Sequence, residues 1–343
     1  MESKKKVLSL PTPIHIGWMF APETWKTLTE EFDVTVNHEP KQKTPNELRE
    51  VIGDYEAVLT GWGSPRFTRE ILEAAVNLQI VAHTAGSPRA IFDDDIVNEI
   101  LIPRGITVYT GASSMAHNVA EMTIALMIMA ARRIPQNEAA FRAGKRGGDL
   151  LPGHPRHAPG LLGATVGLVS ASMVGRQVMR VLQPFECEIL LYDPLITPEV
   201  ARQLGARKVE LNELFQRSDI VSLHAPNLPA TQKMIGPEQL GLLRDGACLI
   251  NTSRGAVIDH EALLRECQSG RIVAALDVTE PEPLLADSPF WNLPNVILTP
   301  HIAGKGQFGF RGIGQGALEA LRDCFAGRPI AGAVPLERYE FVA

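Results

Sequence analysis

The stretch T-V-G-L-V-S-A-S-M-V-G-R at 165–176, read together with E-I-L-L-Y-D at 188–193, decides the fold. An apolar β-forming run ends in a turn of small residues. A helical segment opens near Val174 and reaches about Gln183, and a second apolar run, Glu188 to Asp193, ends in an acid 18 residues beyond Gly175. Such a βαβ unit seats a dinucleotide, with the pyrophosphate on the helix N-terminus and the acid on the ribose hydroxyls. Ser170 and Ser172 stand where two glycines are expected, and Gly175 is the third. A Cβ at Ser172 must push the phosphates outward or bond them through its hydroxyl, so weakened binding is expected. Asp193 has no adjoining arginine to welcome a 2′-phosphate, which favours NAD over NADP. A literal G-x-G-x-x-G at 304–309 is the wrong candidate. The 34 residues after it offer a helix, Ala317 to Phe325, but no strand ending in an acid.

Outward from this unit, strands are expected at about 165–170, 188–193, 219–223, 247–251, 272–276 and 295–299, a six-stranded array with helices between. The N-terminal third alternates in the same way, with strands at Ala57–Thr60, Gln79–Ala82 and Ile106–Tyr109 and a helix through Ile71 and Leu72, which implies a second parallel sheet. Its strands end in T-G-W-G-S (60–64) and H-T-A-G-S (83–87), where small residues let a ligand reach backbone N–H groups. A long helix is expected from Asn118 to Ala131, continuing to about Ala143. Its apolar part from Val119 reads as too short to span a bilayer. Residues 144–160 hold five glycines and three prolines and read as an extended arm or linker. His154 and His157 lie in it without a third ligand, so no metal is expected.

Length and composition narrow the rest. A chain of 343 residues is expected to form about two domains. Its net charge of −6 carries no basic footprint for nucleic acid or an anionic membrane. Cys187, Cys248, Cys267 and Cys324 are scattered and read as reduced thiols of a cytoplasmic protein. The opening M-E-S-K-K-K is broken by Pro11, Pro13 and His15 and makes a poor signal peptide. The sequon at Asn251 falls at a strand end and reads as accidental.

Arg254, Glu282 and His301 each follow a β-forming run: L-I-N-T-S-R-G-A, A-L-D-V-T-E-P-E-P-L and V-I-L-T-P-H-I-A-G. Ligands of open parallel sheets bind beyond the carboxyl ends of strands, so these three groups are expected to converge. A guanidinium fork grips a carboxylate bidentately, and an imidazole backed by a carboxylate exchanges one proton per cycle. That equipment suits a small acid processed by proton transfer. A structural Arg–Glu pair with His301 at a helix entry is the plainer alternative.

These strings resemble the D-isomer-specific 2-hydroxyacid dehydrogenase family over residues 55–334, most specifically in L-L-Y-D-P, S-D-I-V-S-L-H-A-P-N-L-P-A-T, I-N-T-S-R-G-A-V-I-D, A-L-D-V-T-E-P-E-P-L and T-P-H-I-A-G. The resemblance implies an α/β chain of two Rossmann- or flavodoxin-like domains, each a parallel sheet flanked by helices, joined by two crossings. It implies a substrate-binding domain from 1–118 and 306–343, an NAD-binding domain from 119–305 and a dimerisation arm at about 140–160 that embraces a twofold-related subunit. The active site would lie in the interdomain cleft. Arg254 would hold the substrate, His301 would be the acid/base and Glu282 its partner. NAD would meet Ser172, the N–H groups of Met173 and Val174, Asp193, His224, Ala225, Pro226, Thr231, Thr252, Ser253, Asp277, His301 and Gly304, with Asp277 on the nicotinamide carboxamide. Substrate would meet Trp62, Ala85, Gly86 and Ser87 besides Arg254. The loop A-G-S-P-R-A-I-F (85–92) departs from the family's glycine-rich pattern and, with the two serines, marks a divergent subgroup. The implied activity is hydride transfer between NAD and C2 of a small 2-keto or 2-hydroxy acid, as in a glyoxylate or hydroxypyruvate reductase, in a cytoplasmic homodimer. Formate- or phosphite-type oxidation and a non-catalytic NAD(H)-sensing role are the rivals.

Overall fold

In the computed structural model, residues 3–145 and 160–342 are described. They form two compact units, Met1–Met115 with Lys305–Ala343, and Ala116–Gly304. The centre of the 144–160 segment, with His154 and His157, lies outside the described residues.

Unit 1 holds five parallel strands, β1 (Lys6–Ser9), β2 (Asp33–Val36), β3 (Ala57–Thr60), β4 (Ile80–His83) and β5 (Thr107–Thr110), in the order β2-β1-β3-β4-β5. Unit 2 holds seven: β6 (Thr165–Val169), β7 (Glu188–Tyr192), β8 (Arg207–Lys208), β9 (Ile220–Leu223), β10 (Cys248–Asn251), β11 (Val273–Leu276) and β12 (Val296–Leu298). Their order is β12-β11-β10-β9-β6-β7-β8, again all parallel. Strands β3, β4, β9, β10 and β11 are buried along their whole length because helices cover both faces, as parallel sheets require. Val166 and Leu168 join one core and Val169 and Val221 the other. Each sheet reverses its strand order once, between β1 and β3 in unit 1 and between β6 and β9 in unit 2. Those two points are where a ligand crevice opens.

The helices that bear on the sites are α1 (Pro13–Met19), α2 (Ala112–Ala131), α3 (Ile134–Arg142), α4 (Met173–Leu182), α5 (Leu211–Arg217) and α6 (Gln307–Phe325). Four expectations need correcting. The array of unit 2 has seven strands, not six, because the charged dipeptide Arg207–Lys208 pairs at its edge. The long helix starts at Ala112, six residues early, and does not run on to Ala143. Arg133 takes a left-handed backbone (φ 51°) and Pro135 removes an N–H, so α3 starts anew. At 20 residues α2 is also long and apolar enough to cross a membrane, so its length excludes nothing. In this structure Ala120, Ile124, Leu126, Met127 and Ala130 pack into the core of unit 2. Finally, α6 begins at Gln307 rather than near Ala317. Its glycines argue against a helix, but Gly314 is needed there, since a Cβ would sit 2.4 Å from the Met19 carbonyl oxygen.

Two buried histidines end central strands. Burial lowers His83 to about 4, and its Nδ1 lies 2.9 Å from the Thr60 hydroxyl. Burial likewise lowers His224 to about 3. A histidine whose folded pKa lies below its unfolded value takes up its proton on unfolding, so its contribution is whole above 6.5 and lost as pH falls toward 4 for His83. The thermal midpoint is therefore expected to drop between those values, and H83N to flatten part of that drop; an identical pH profile for H83N would count against His83 as its source.

Candidate active site

Three strand-end loops of unit 2 carry the candidate catalytic residues. After β10, Asn251 is fully buried and holds the turn: its Nδ2 donates to the Arg254 carbonyl (2.9 Å), and its Oδ1 accepts from the Ser253 N–H and hydroxyl (3.0 and 2.8 Å). Arg254 then enters a 3-10 turn, Gly255–Val257. A Cβ at Gly255 would lie 2.1 Å from the carbonyl of Thr279, so only glycine lets this backbone press against the loop after β11. That loop carries Glu282, whose negative charge opposes the fall that burial imposes on the pKa of Arg254. After β12 comes His301, with its Nδ1 2.5 Å from Glu282 Oε1. The structure thus brings Glu282 and His301 into direct contact and sets Arg254 within the field of Glu282. Among the described residues Glu282 is the carboxylate paired with His301, and the contact engages Nδ1.

His301 sits in the left-handed region, at φ 49°, a conformation that costs a non-glycine residue about 1 kcal/mol or more. Asp277 holds it there. Its carboxylate, 2% exposed, accepts from the Thr299 hydroxyl (2.6 Å) and the N–H groups of Ile302 (2.9 Å) and Ala303 (2.8 Å), while its carbonyl accepts from the His301 N–H (2.9 Å). Three donors therefore already use the carboxylate expected on a nicotinamide carboxamide. Asp277 acts here as the brace of the loop that presents the imidazole.

The nucleotide end lies at the β6/β9 reversal. Ser170 occupies the first glycine position with φ 82°. Ser172 caps α4, its hydroxyl accepting from the Gly175 N–H at 3.3 Å, a use neither of the two expected alternatives included. A Cβ on Gly175 would lie 2.2 Å from the Ser170 carbonyl oxygen, so the loop folds hard onto the helix. Among the described residues the N–H groups of Met173 and Val174 have no protein acceptor, and both ring nitrogens of His224 are sealed without a partner. A pyrophosphate fits the two open N–H groups of Met173 and Val174. Asp193, 7% exposed, accepts from the N–H groups of Ala171 and Leu195, both at 2.8 Å, and so fixes the loop.

The remaining predicted contacts are mostly structural in their observed bonding. Thr231 closes the Ala225–Pro226 loop by donating to the Pro226 carbonyl and accepting from Leu228 N–H at 2.9 Å. The Thr252 hydroxyl meets that of Thr123 at 2.8 Å, and the Gly304 carbonyl accepts from Asn118 Nδ2 at 2.9 Å. In unit 1, Trp62 follows β3, and the loop Ala85–Ser87 follows β4. The N–H groups of Ala85, Gly86 and Ser87 have no acceptor among the described residues, while the Ser87 hydroxyl caps a short turn by accepting from Arg89 N–H. Sequence reasoning missed Asn251, Gly255, Thr299 and the bracing role of Asp277; an asparagine three residues before an arginine at a strand end was the one available signal.

A doubly wound parallel sheet with a phosphate loop at its reversal and an imidazole–carboxylate pair at its strand ends defines a dinucleotide-dependent dehydrogenase fold. The family described as D-isomer specific 2-hydroxyacid dehydrogenase, NAD binding domain, matches residues 124–303. The chain is 36% identical over 260 residues to D-3-phosphoglycerate dehydrogenase of Methanocaldococcus jannaschii, covering 75% of this chain and 47% of that protein. It is 34% identical to hydroxypyruvate reductase of Thermotoga maritima, covering 85% and 90%. A glyoxylate reductase structure from Paecilomyes thermophila aligns with a TM-score of 0.77 at 26% identity, over 98% of this chain and all of that one. The chain belongs to the D-isomer-specific 2-hydroxyacid dehydrogenase family, and its NAD-binding domain makes NAD its cofactor. It spans about half the length of the D-3-phosphoglycerate dehydrogenases it matches.

Two outcomes follow from the loops. S170G relieves a left-handed serine and should raise stability by about 0.5–1 kcal/mol in denaturant unfolding, whereas a lower midpoint would mean that no strain is stored there. D277N should lower stability by about 2 kcal/mol or more, because the amide presents N–H to buried donors. A weakened NADH affinity with unchanged stability would instead make cofactor contact the chief role of Asp277.

Proposed function

We propose that this chain is an NAD-dependent oxidoreductase that transfers a hydride between nicotinamide and C2 of a small 2-keto or 2-hydroxy acid with D specificity, acting in the manner of a glyoxylate or hydroxypyruvate reductase. The observation that carries it is the 2.5 Å contact of His301 Nδ1 with Glu282 Oε1, which leaves Nε2 as the proton donor and acceptor. NAD, when bound, supplies or takes the hydride. Arg254 offers its fork to the carboxylate and to the charge that develops on the C2 oxygen, and partial burial strengthens that attraction. His301 delivers a proton to that oxygen during reduction and removes it during oxidation, while Glu282 fixes the ring orientation. The Met173 and Val174 N–H groups and the Asp193 carboxylate orient the dinucleotide. Substrate and activity draw support from relatives named glyoxylate reductase and hydroxypyruvate reductase, which are 33% and 34% identical. A homodimer formed through the 140–160 arm and a cytoplasmic setting belong to the same proposal; four free thiols suit a reducing compartment.

H301A should cut kcat for NADH-dependent keto-acid reduction by about 10²-fold or more while NADH affinity, read by calorimetry, stays within twofold. Turnover equal to wild type would remove His301 from the chemistry. Failure of NADH to bind the wild-type chain would remove the whole proposal.

A further inference from the structure

We propose that unit 1 carries the side-chain recognition site, and that the preferred substrate is a 2-keto acid bearing an aromatic ring, received by the rings of His15, Trp18, Trp62 and Phe310. This rests on the 2-hydroxyacid activity proposed above and names its substrate class.

The four rings gather at the β1/β3 reversal of the sheet, the position where an open parallel sheet receives ligands. Helix α1, which follows β1, brings His15 and Trp18 with centroids 5.2 Å apart. The loop after β3 brings Trp62 edge-on to His15 at 6.1 Å, and Phe310, in the first turn of α6, lies 5.4 Å from Trp62. These spacings are those of tilted and edge-to-face aromatic pairs, so the set forms one continuous wall. Its backbone is pinned: the Trp62 carbonyl accepts from Gln42 Nε2 at 3.0 Å and the Gly61 N–H donates to the Ser64 hydroxyl at 2.9 Å. The wall is not sealed, because Trp18 is 51% exposed and Trp62 and Phe310 are half-buried. Burial lowers the pKa of His15, and its Nδ1 is shut from solvent without a partner.

A carboxylate anchor lies on the neighbouring strand. The loop after β4 is tied to β3 through Thr84, whose N–H and hydroxyl both donate to the Thr60 carbonyl at 2.8 and 2.6 Å. Just beyond it, Ala85, Gly86 and Ser87 offer their open N–H groups. The guanidiniums flanking these loops are already engaged. Arg66 pairs with Asp93, and Arg89 pairs with Asp94 and donates to the carbonyls of Tyr339 and Val342. An aryl group gains stacking on these rings.

The test compares kcat/KM of the full-length chain for phenylpyruvate, hydroxypyruvate and glyoxylate with NADH, in wild type, W62A, W62F and F310A, with thermal midpoint and NADH affinity measured on the same samples. Wild type should prefer phenylpyruvate over glyoxylate by about tenfold or more. W62A should erase most of that preference through KM for phenylpyruvate, F310A should lower it, and W62F should keep it. If W62A does not fold, the wild-type ratio and F310A decide. A preference for glyoxylate, or a ratio unmoved in folded W62A, overturns the aromatic assignment and leaves the dehydrogenase activity standing. Absence of turnover with every keto acid, despite bound NADH, sinks both.

Discussion

The buried carboxylate of Asp277 is the point on which the Arg254, Glu282 and His301 end of unit 2 depends. Its two oxygens and its carbonyl take four hydrogen bonds from residues 299–303, and that concentration of bonds is what keeps His301 in a left-handed backbone. A flexible loop would relax to an ordinary conformation and carry the imidazole away from Glu282. Strain at one residue is thus held by bonds from a neighbouring strand end, the usual arrangement where a reactive side chain must stay in place. The glycine at 255 works in parallel, since the backbone of the Arg254 turn can lean on Thr279 only without a Cβ.

The nucleotide end follows a different logic. Its two serines do not abolish the phosphate loop, because the essential close approach is at Gly175, which is kept. Ser172 replaces a glycine's openness with a helix cap, and Ser170 accepts a left-handed backbone. The loop is consequently more self-satisfied before any anion arrives, which gives a physical basis for weaker cofactor binding than an all-glycine loop would show.

Much of the architecture was legible in the residues. The inner strands of both units are continuous apolar runs, so β3, β6, β7, β9, β10 and β11 were readable to within a residue. The edge strands β2 and β8 were not. Asp33–Val36 alternates exposed and half-buried positions, and Arg207–Lys208 is two charged residues, so neither carries an apolar run. The start of α6 was hidden by glycines whose purpose is packing, and the end of α2 by an apolar pattern that continues past the break at Arg133. At the site, Arg254, Glu282 and His301 were visible because each is a polar residue following a β run. Asn251, Thr299 and the bracing bonds of Asp277 were hidden, because a short polar side chain at a strand end looks the same whether it binds a ligand or its own loop.

Local order along the chain therefore determined the strand and helix succession, the parallel sheets, the small-residue turn after β6 and the placing of Arg254, Glu282 and His301 at strand ends, since all of these are set by residue type and spacing over a few neighbours. Tertiary structure alone decided which groups meet. The pairing of His301 with Glu282, the four bonds of Asp277 and the ring wall from His15 to Phe310 join residues up to hundreds of positions apart. Such contacts arise only when strands are laid side by side and their carboxyl ends are brought to one edge of a sheet.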